Sequence, residues 1–134
     1  MSLFGEEHVR RYRETGGEVG HTWNGVPTLL LTTTGRKSGE QHTTPLIYGR
    51  DGDAYVIVAS KGGAPEHPGW YRNLSKTPEV ELQVKDEVFP ARARTASAEE
   101  RPRLWQQMAE IWPQYDDYAQ KTDREIPVVV LERV

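Results

Sequence analysis

The chain has 134 residues, enough for one domain built around one hydrophobic core. Its net charge is −3, so no overall basic field draws it to nucleic acid or anionic lipid, and an anionic ligand needs a local cluster of cations. With no cysteine, disulfides, thiolate nucleophiles and thiolate metal sites are excluded. Only 36% of the residues are hydrophobic, but four Trp and six Tyr supply bulk for a core, which argues against disorder. No apolar run approaches about 18 residues and no charged-then-apolar leader is visible, so a cytoplasmic location is expected.

In chain order, no repeat or Pro/Gly/Ser-rich linker divides the sequence. Residues 1–134 read as a single domain, with 1–25 as a flexible or helical N-terminal segment. Glu6 to Thr15 carries both charge signs and predicts a short helix closed by Gly16-Gly17. Its few apolar residues make it a poor interfacial helix, so at most peripheral contact with a membrane is expected. Thr28 to Thr34 is a β-branched and leucine run, Gln41 to Tyr48 is a second extended stretch, and Gly35 to Gly39 turns between them. Asp51-Gly52 signals a hairpin, and Ala54 to Ser60 (AYVIVAS) reads as the most buried strand. Gly62-Gly63-Ala64-Pro65 opens a loop. Pro68 then suits the first turn of a helix through Trp70, Tyr71 and Leu74 that ends before Pro78.

Val80 to Val84 and Val88 to Thr95 predict a hairpin around Lys85-Asp86. Phe89, Ala91, Ala93 and Thr95 fall on one face and Arg92 and Arg94 on the other. Ser97 and Glu100 have capping-box spacing, with Pro102 delaying the helix that follows through Leu104, Trp105, Met108 and Ile111. Pro113 must break that helix. A short segment with Tyr115 and Tyr118 precedes a last strand, Ile126 to Leu131. Antiparallel strands with one interrupting helix and helices near both ends indicate an α+β fold on a small barrel.

Four features carry candidate chemistry. Thr32 to Glu40 (TTTGRKSGE) is not a nucleotide P-loop: Leu30 occupies the place of the earlier glycine and Arg36 that of the lysine. By spacing alone it reads first as a strand-connecting turn, and second as a nest of amides and two cations for a phosphate. The four histidines, His8, His21, His42 and His67, never fall at metal-ligand spacing, so no metal is expected. Ser60 lacks the G-x-S-x-G elbow of a serine hydrolase; it reads as a strand end whose hydroxyl and following amides could line a cleft. Trp112, Tyr115 and Tyr118 recur every three residues and share one helical face. Such a stripe usually belongs to a core, as Trp70-Tyr71 does by the same reasoning, but the polar residues around Tyr115 and Tyr118 favour a cleft.

TTTGRKSG, TPLIYGRDG, ASKGGAPEHPGWYRNL, the Trp-Pro-x-Tyr-x-x-Tyr segment and the closing IPVVVLERV stand in a specific order. Together they resemble the deazaflavin-dependent nitroreductase and quinone reductase family, from Val26 to the end of the chain. The resemblance implies a small antiparallel split β-barrel of the flavin mononucleotide-binding type, with flanking and inserted helices. The implied cofactor is coenzyme F420, an 8-hydroxy-5-deazaflavin. By position, Arg36, Lys37 and Ser38 would hold the phosphate of its tail. His42, Thr43, Thr44, Pro45, Leu46 and Ile47 would run beneath tail and ring. Val58, Ala59, Ser60 and Lys61 would contact the ring, and Gly69, Trp70, Tyr71, Arg72 and Asn73 would close the other side. Tyr115 would reach cofactor and substrate as the first catalytic candidate, with Ser60 second and Tyr118 and Trp112 as the substrate wall.

The chain departs from familiar members at His42, where they carry arginine, and at Glu40, where they often carry a cation. Ile47 and Trp112 stand where some members have tyrosine. The implied reaction is hydride transfer from the reduced cofactor to a small-molecule acceptor: a quinone, a nitroaromatic or an activated enone. A non-catalytic deazaflavin carrier and a flavin mononucleotide-dependent split-barrel oxidoreductase are the alternatives.

Overall fold

Alternation along two strands organises the molecule. In the computed structural model, which describes residues 5–134, β5 (Ala54–Val58) pairs with β8 (Val128–Arg133). Tyr55, Ile57, Val129 and Leu131 point into one core cluster, while Val56, Val58, Val128 and Val130 point into another. Both faces are therefore covered, which is why AYVIV and VVVL carry no polar alternation.

The remaining strands are β1 (Thr22–Trp23), β2 (Val26–Thr34), β3 (Gln41–Ile47), β4 (Gly49–Asp51), β6 (Glu79–Val84) and β7 (Glu87–Thr95). All pairings are antiparallel. The path runs β2-β6-β7-β8-β5-β4, with β3 on the opposite edge of β2. The outermost strands β3 and β4 are joined in sequence by Tyr48 alone, so the sheet must curl until its two edges meet. This is the split barrel. Leu29, Leu31, Leu82, Phe89 and Ala91 fill its interior with Tyr48 and Tyr55.

Helices α1 (Gly5–Thr15), α2 (Gly69–Lys76), α3 (Arg101–Ile111) and α4 (Gln114–Lys121) pack around this sheet. Leu104 and Met108 of α3 and Tyr115 of α4 cover the outer faces of β5 and β8. Of the segment 1–25, residues 1–4 lie outside the described residues and the rest is ordered as α1 and the entry to the β1–β2 hairpin. Tyr12 is fully buried; its hydroxyl donates to the Thr28 carbonyl at 3.0 Å and accepts the Lys85 amide at 2.8 Å. Burial pushes that phenol up to about 12.

Several boundaries differ from the sequence reading. The strand expected over Ala54 to Ser60 stops at Val58: the Ala59 amide still reaches the Pro127 carbonyl at 2.9 Å, but Pro127 has no N–H to return the bond. The last strand starts at Val128, two residues later than expected, since Pro127 has no N–H to give a ladder. Thr95 shares a face with the buried Phe89, Ala91 and Ala93 but is exposed, and bonds the Tyr71 hydroxyl at 2.9 Å. Trp70, grouped with the core by spacing, is half-buried and borders a cleft.

The capping box forms ahead of α3. Glu100 accepts the Ser97 amide at 2.8 Å and its own amide reaches Ser97 Oγ at 3.3 Å. Arg94 also donates to both carboxylate oxygens. The Arg94 hydrogen bond, then the Ser97 amide, hold Glu100 down to about 2. A depressed folded value means this contribution is present above the carboxylate's ordinary value of 4.5 and is lost as pH falls toward about 2. The urea midpoint is accordingly expected to drop across that window, and Glu100→Gln to shrink the drop. An identical acid limb in the variant would contradict the assignment.

Candidate active site

Two cavities adjoin on one side of the barrel and share Thr44 and Trp70. The first, about 480 Å³, is polar and is lined by the turn Gly35, Arg36, Lys37 and Ser38, with His42 of β3 and Gly69 and Asn73 of α2. The turn is tightly closed: the Gly35 amide donates to the Glu40 carbonyl at 2.7 Å and the Gly39 amide to the Gly35 carbonyl at 2.9 Å. Asn73, buried, fixes Arg36 from below. Its Oδ1 accepts both the Arg36 amide at 3.2 Å and the guanidinium Nη1 at 2.9 Å, while its Nδ2 donates to Thr33 Oγ1 at 3.2 Å. Lys76 Nζ donates to the Arg36 carbonyl at 2.8 Å. A Cβ on Gly35 would come within 2.9 Å of both His42 Nε2 and Ser38 Oγ, so these polar groups crowd a spot only glycine leaves open.

The second cavity, about 450 Å³, is aromatic and aliphatic. Pro45, Leu46 and Ile47 of β3 form one side. Ser60, Lys61 and Gly62 form a second, and Trp112, Tyr115 and Tyr118 a third. Pro113 separates α3 from α4, so these aromatics come from a broken helix rather than a continuous one. Tyr115 is buried, edge-on to Tyr118 at 6.2 Å. Burial, then the neighbouring Tyr118, raise its phenol well above the ordinary range, so it stays protonated at neutral pH.

The Ser60 wall is held in an unusual backbone form. Lys61, Gly62 and Gly63 all have positive φ, at +46°, +63° and +84°. One side chain, Arg124, pins this stretch. It donates to the carbonyls of Ala59 (3.3 Å), Ser60 (2.8 Å) and Ala64 (2.8 Å), and to His67 Nδ1 (3.0 Å). Burial, then Arg124 and Arg72, lower the His67 imidazole, which keeps Nδ1 available as an acceptor.

With this geometry in place, a family model described as F420H(2)-dependent quinone reductase matches residues 4–133. The chain belongs to this family. The F420H(2)-dependent quinone reductase Rv1261c of Mycobacterium tuberculosis is 48% identical over 130 residues, covering 94% of this chain and 87% of the relative. Among solved structures, the F420-H2 dependent reductase FDR-A is 45% identical with a TM-score of 0.73, over 79% of this chain and 94% of that one. A chain described as a domain-swapped dimer is 40% identical with a TM-score of 0.77, over 95% of each.

This quinone reductase family member brings most of the residues singled out from its sequence to the two cavities. Arg36, Lys37, Ser38, His42, Gly69 and Asn73 line the polar one, and Thr44 and Trp70 both. Pro45, Leu46, Ile47, Val58, Ser60, Lys61, Tyr115 and Tyr118 line the aromatic one. Four residues are not brought there. Thr43 bonds Thr32 Oγ1 at 2.8 Å and accepts from Arg13 at 2.9 Å. Ala59 is fully buried, Tyr71 turns to Thr95 and the His67 ring, and Arg72 is exposed. Sequence reasoning missed Trp23, Thr28 and His8 as lining residues, and Arg124 as a support. For Trp23 a signal existed in the Asn-Gly pair that follows it.

Proposed function

We propose that this chain is an oxidoreductase that passes hydride from reduced coenzyme F420 to a quinone, with nitroaromatics and activated enones as further electron-poor acceptors. The observation that carries the reading is the joined groove, cationic at one end and aromatic at the other. Its donor set suits a ligand with an anionic tail and a flat ring. Arg36, Lys37 and Ser38 would hold the tail phosphate, as charge-assisted donors on a turn that Asn73 keeps in shape. Pro45, Leu46 and Ile47 would support the ring from β3, and the Ser60–Lys61 wall would fix its edge. When bound, the reduced deazaflavin supplies a two-electron hydride.

The chain's own contribution is position, dryness and a proton. Hydride plus one proton delivers the two electrons and two hydrogens that take a quinone to its hydroquinone, and Tyr115 Oη is the proton donor we assign, because burial keeps it protonated. Ser60, which lines the same cavity, is the second candidate donor. Tyr118 and Trp112 exclude water from the acceptor side, which strengthens any hydrogen bond to the developing charge. Among the described residues no helix is long and apolar enough to cross a membrane.

The test is direct. Purified protein mixed with reduced deazaflavin and menadione should oxidise the cofactor well above the uncatalysed rate. Tight binding without turnover across several quinones would instead mark a carrier and reject the reductase reading. Tyr115→Phe should lower kcat about tenfold with little change in KM, the loss of one hydrogen bond made to developing charge. An unchanged kcat would remove Tyr115 from the proton-donor role.

A further inference from the structure

The Trp23-Asn24-Gly25 stretch has no part in the roles above, yet it builds one end of the aromatic cavity. Asn24 (φ +49°) and Gly25 (φ +82°) are the central residues of a two-residue hairpin turn, with Trp23 directly opposite Val26. Left-handed backbone at both positions matches the twist of the flanking strands, so the turn is a stiff mount rather than a loose loop. It carries Trp23 against Trp112, ring centroids 5.6 Å apart and planes inclined at 40°. Both indoles line the cavity. Trp112 Nε1 donates to the Tyr118 hydroxyl at 3.5 Å, and Tyr118 meets Tyr115 edge-on. A continuous aromatic path thus runs from the Tyr115 phenol to the Trp23 indole.

We infer that Trp23 determines acceptor specificity. With Trp112 it forms an indole platform for the fused second ring of a bicyclic quinone, while the quinone ring lies toward Tyr115. The inference rests on the reading of this cavity as a quinone site. Indole faces are electron-rich, and the fused ring of a naphthoquinone is drawn electron-poor by the two carbonyls conjugated to it, so stacking between them is favourable beyond the area it buries. A one-ring quinone that reaches Tyr115 leaves the platform uncovered. A naphthoquinone adds a second ring that extends toward the indoles.

Binding of menadione and of 2-methyl-1,4-benzoquinone to the full chain, loaded with oxidised deazaflavin, is measured by calorimetry without reductant. Trp23→Ala should weaken menadione about tenfold and the one-ring quinone less than about twofold. In turnover with reduced cofactor the loss should fall on the menadione KM rather than on kcat. Trp23→Phe, which keeps a ring on the hairpin, should lie between wild type and alanine with the same selectivity. It decides the matter if the alanine variant folds poorly. Equal losses for the two quinones, or undiminished menadione binding, would overturn the inference, as would failure of the wild type to bind menadione. Wild-type binding without reduction would reject the reductase reading instead, and the binding difference would still decide the role of Trp23.

Discussion

Replacing Arg36 and Lys37 together by alanine should weaken deazaflavin binding about a thousandfold, since each charge-assisted contact contributes on the order of 1.5–3 kcal/mol. The two cations are not equivalent. Arg36 is half-buried and tied to Asn73 through both its amide and its guanidinium, whereas Lys37 is exposed. Ordering Arg36 in advance lowers the entropic cost of binding, so Arg36→Ala should account for the larger part. That variant also strips one of two donors, the guanidinium Nη1, from the buried Asn73 Oδ1 and leaves only the backbone amide, so its thermal midpoint is measured beside its affinity. Affinity should be titrated by fluorescence at low and at high salt. Removing both cations should flatten the salt dependence as well as shift the curve. An unchanged Kd in the double variant would reject the phosphate role of this turn.

Gly63→Ala should cost about 2–4 kcal/mol of stability and most of the turnover, by adding a backbone strain to a packing clash. Gly63 has φ +84°, and a Cβ there would lie 2.8 Å from the Tyr118 carbonyl oxygen and 3.1 Å from Tyr118 Cα. Those are main-chain atoms of α4, which cannot rotate away as a flexible side chain would. Relief requires α4 to move back, taking Tyr115 and Tyr118 away from Ser60. Gly62 supplies the control. It too has positive φ, at +63°, but a Cβ there meets nothing within 4 Å. Gly62→Ala should therefore show the conformational penalty alone, about 1 kcal/mol. Denaturant unfolding and menadione turnover of both variants separate the two terms. Equal behaviour would mean that the approach of Gly63 to α4 does not set the cavity's width.

Much of the fold could be read from local chemistry. A β-branched and leucine run marked β2, a hairpin with alternating faces marked β6 and β7, Gly16-Gly17 ended α1, and Pro113 broke the helix where expected. What could not be read depended on partners far away in sequence. Ala59 and Ser60 look like strand until Pro127 and Arg124 claim their backbone groups. Arg124 itself is one cation among many on a charged chain, and its acceptors lie 57 to 65 residues earlier. Asn73 is likewise an ordinary helix residue until the turn 37 residues before it folds back onto its amide. The site residues were reached by family resemblance; spacing alone would have left Thr32 to Glu40 a hairpin turn and Trp70 a core residue.

The single-residue link at Tyr48 also bears on how this molecule avoids growing into fibres. Because the curled sheet brings β3 and β4 together, neither outer strand stands as a long open template for another chain. Pro45 removes a donor from the middle of β3, and α1 packs against that strand with Arg13 donating to Thr43. At the other limits of the sheet, β4 has three residues and β1 two, too short to recruit a stranger by backbone pairing. The limits of the sheet thus offer little extended backbone for a second chain to pair with.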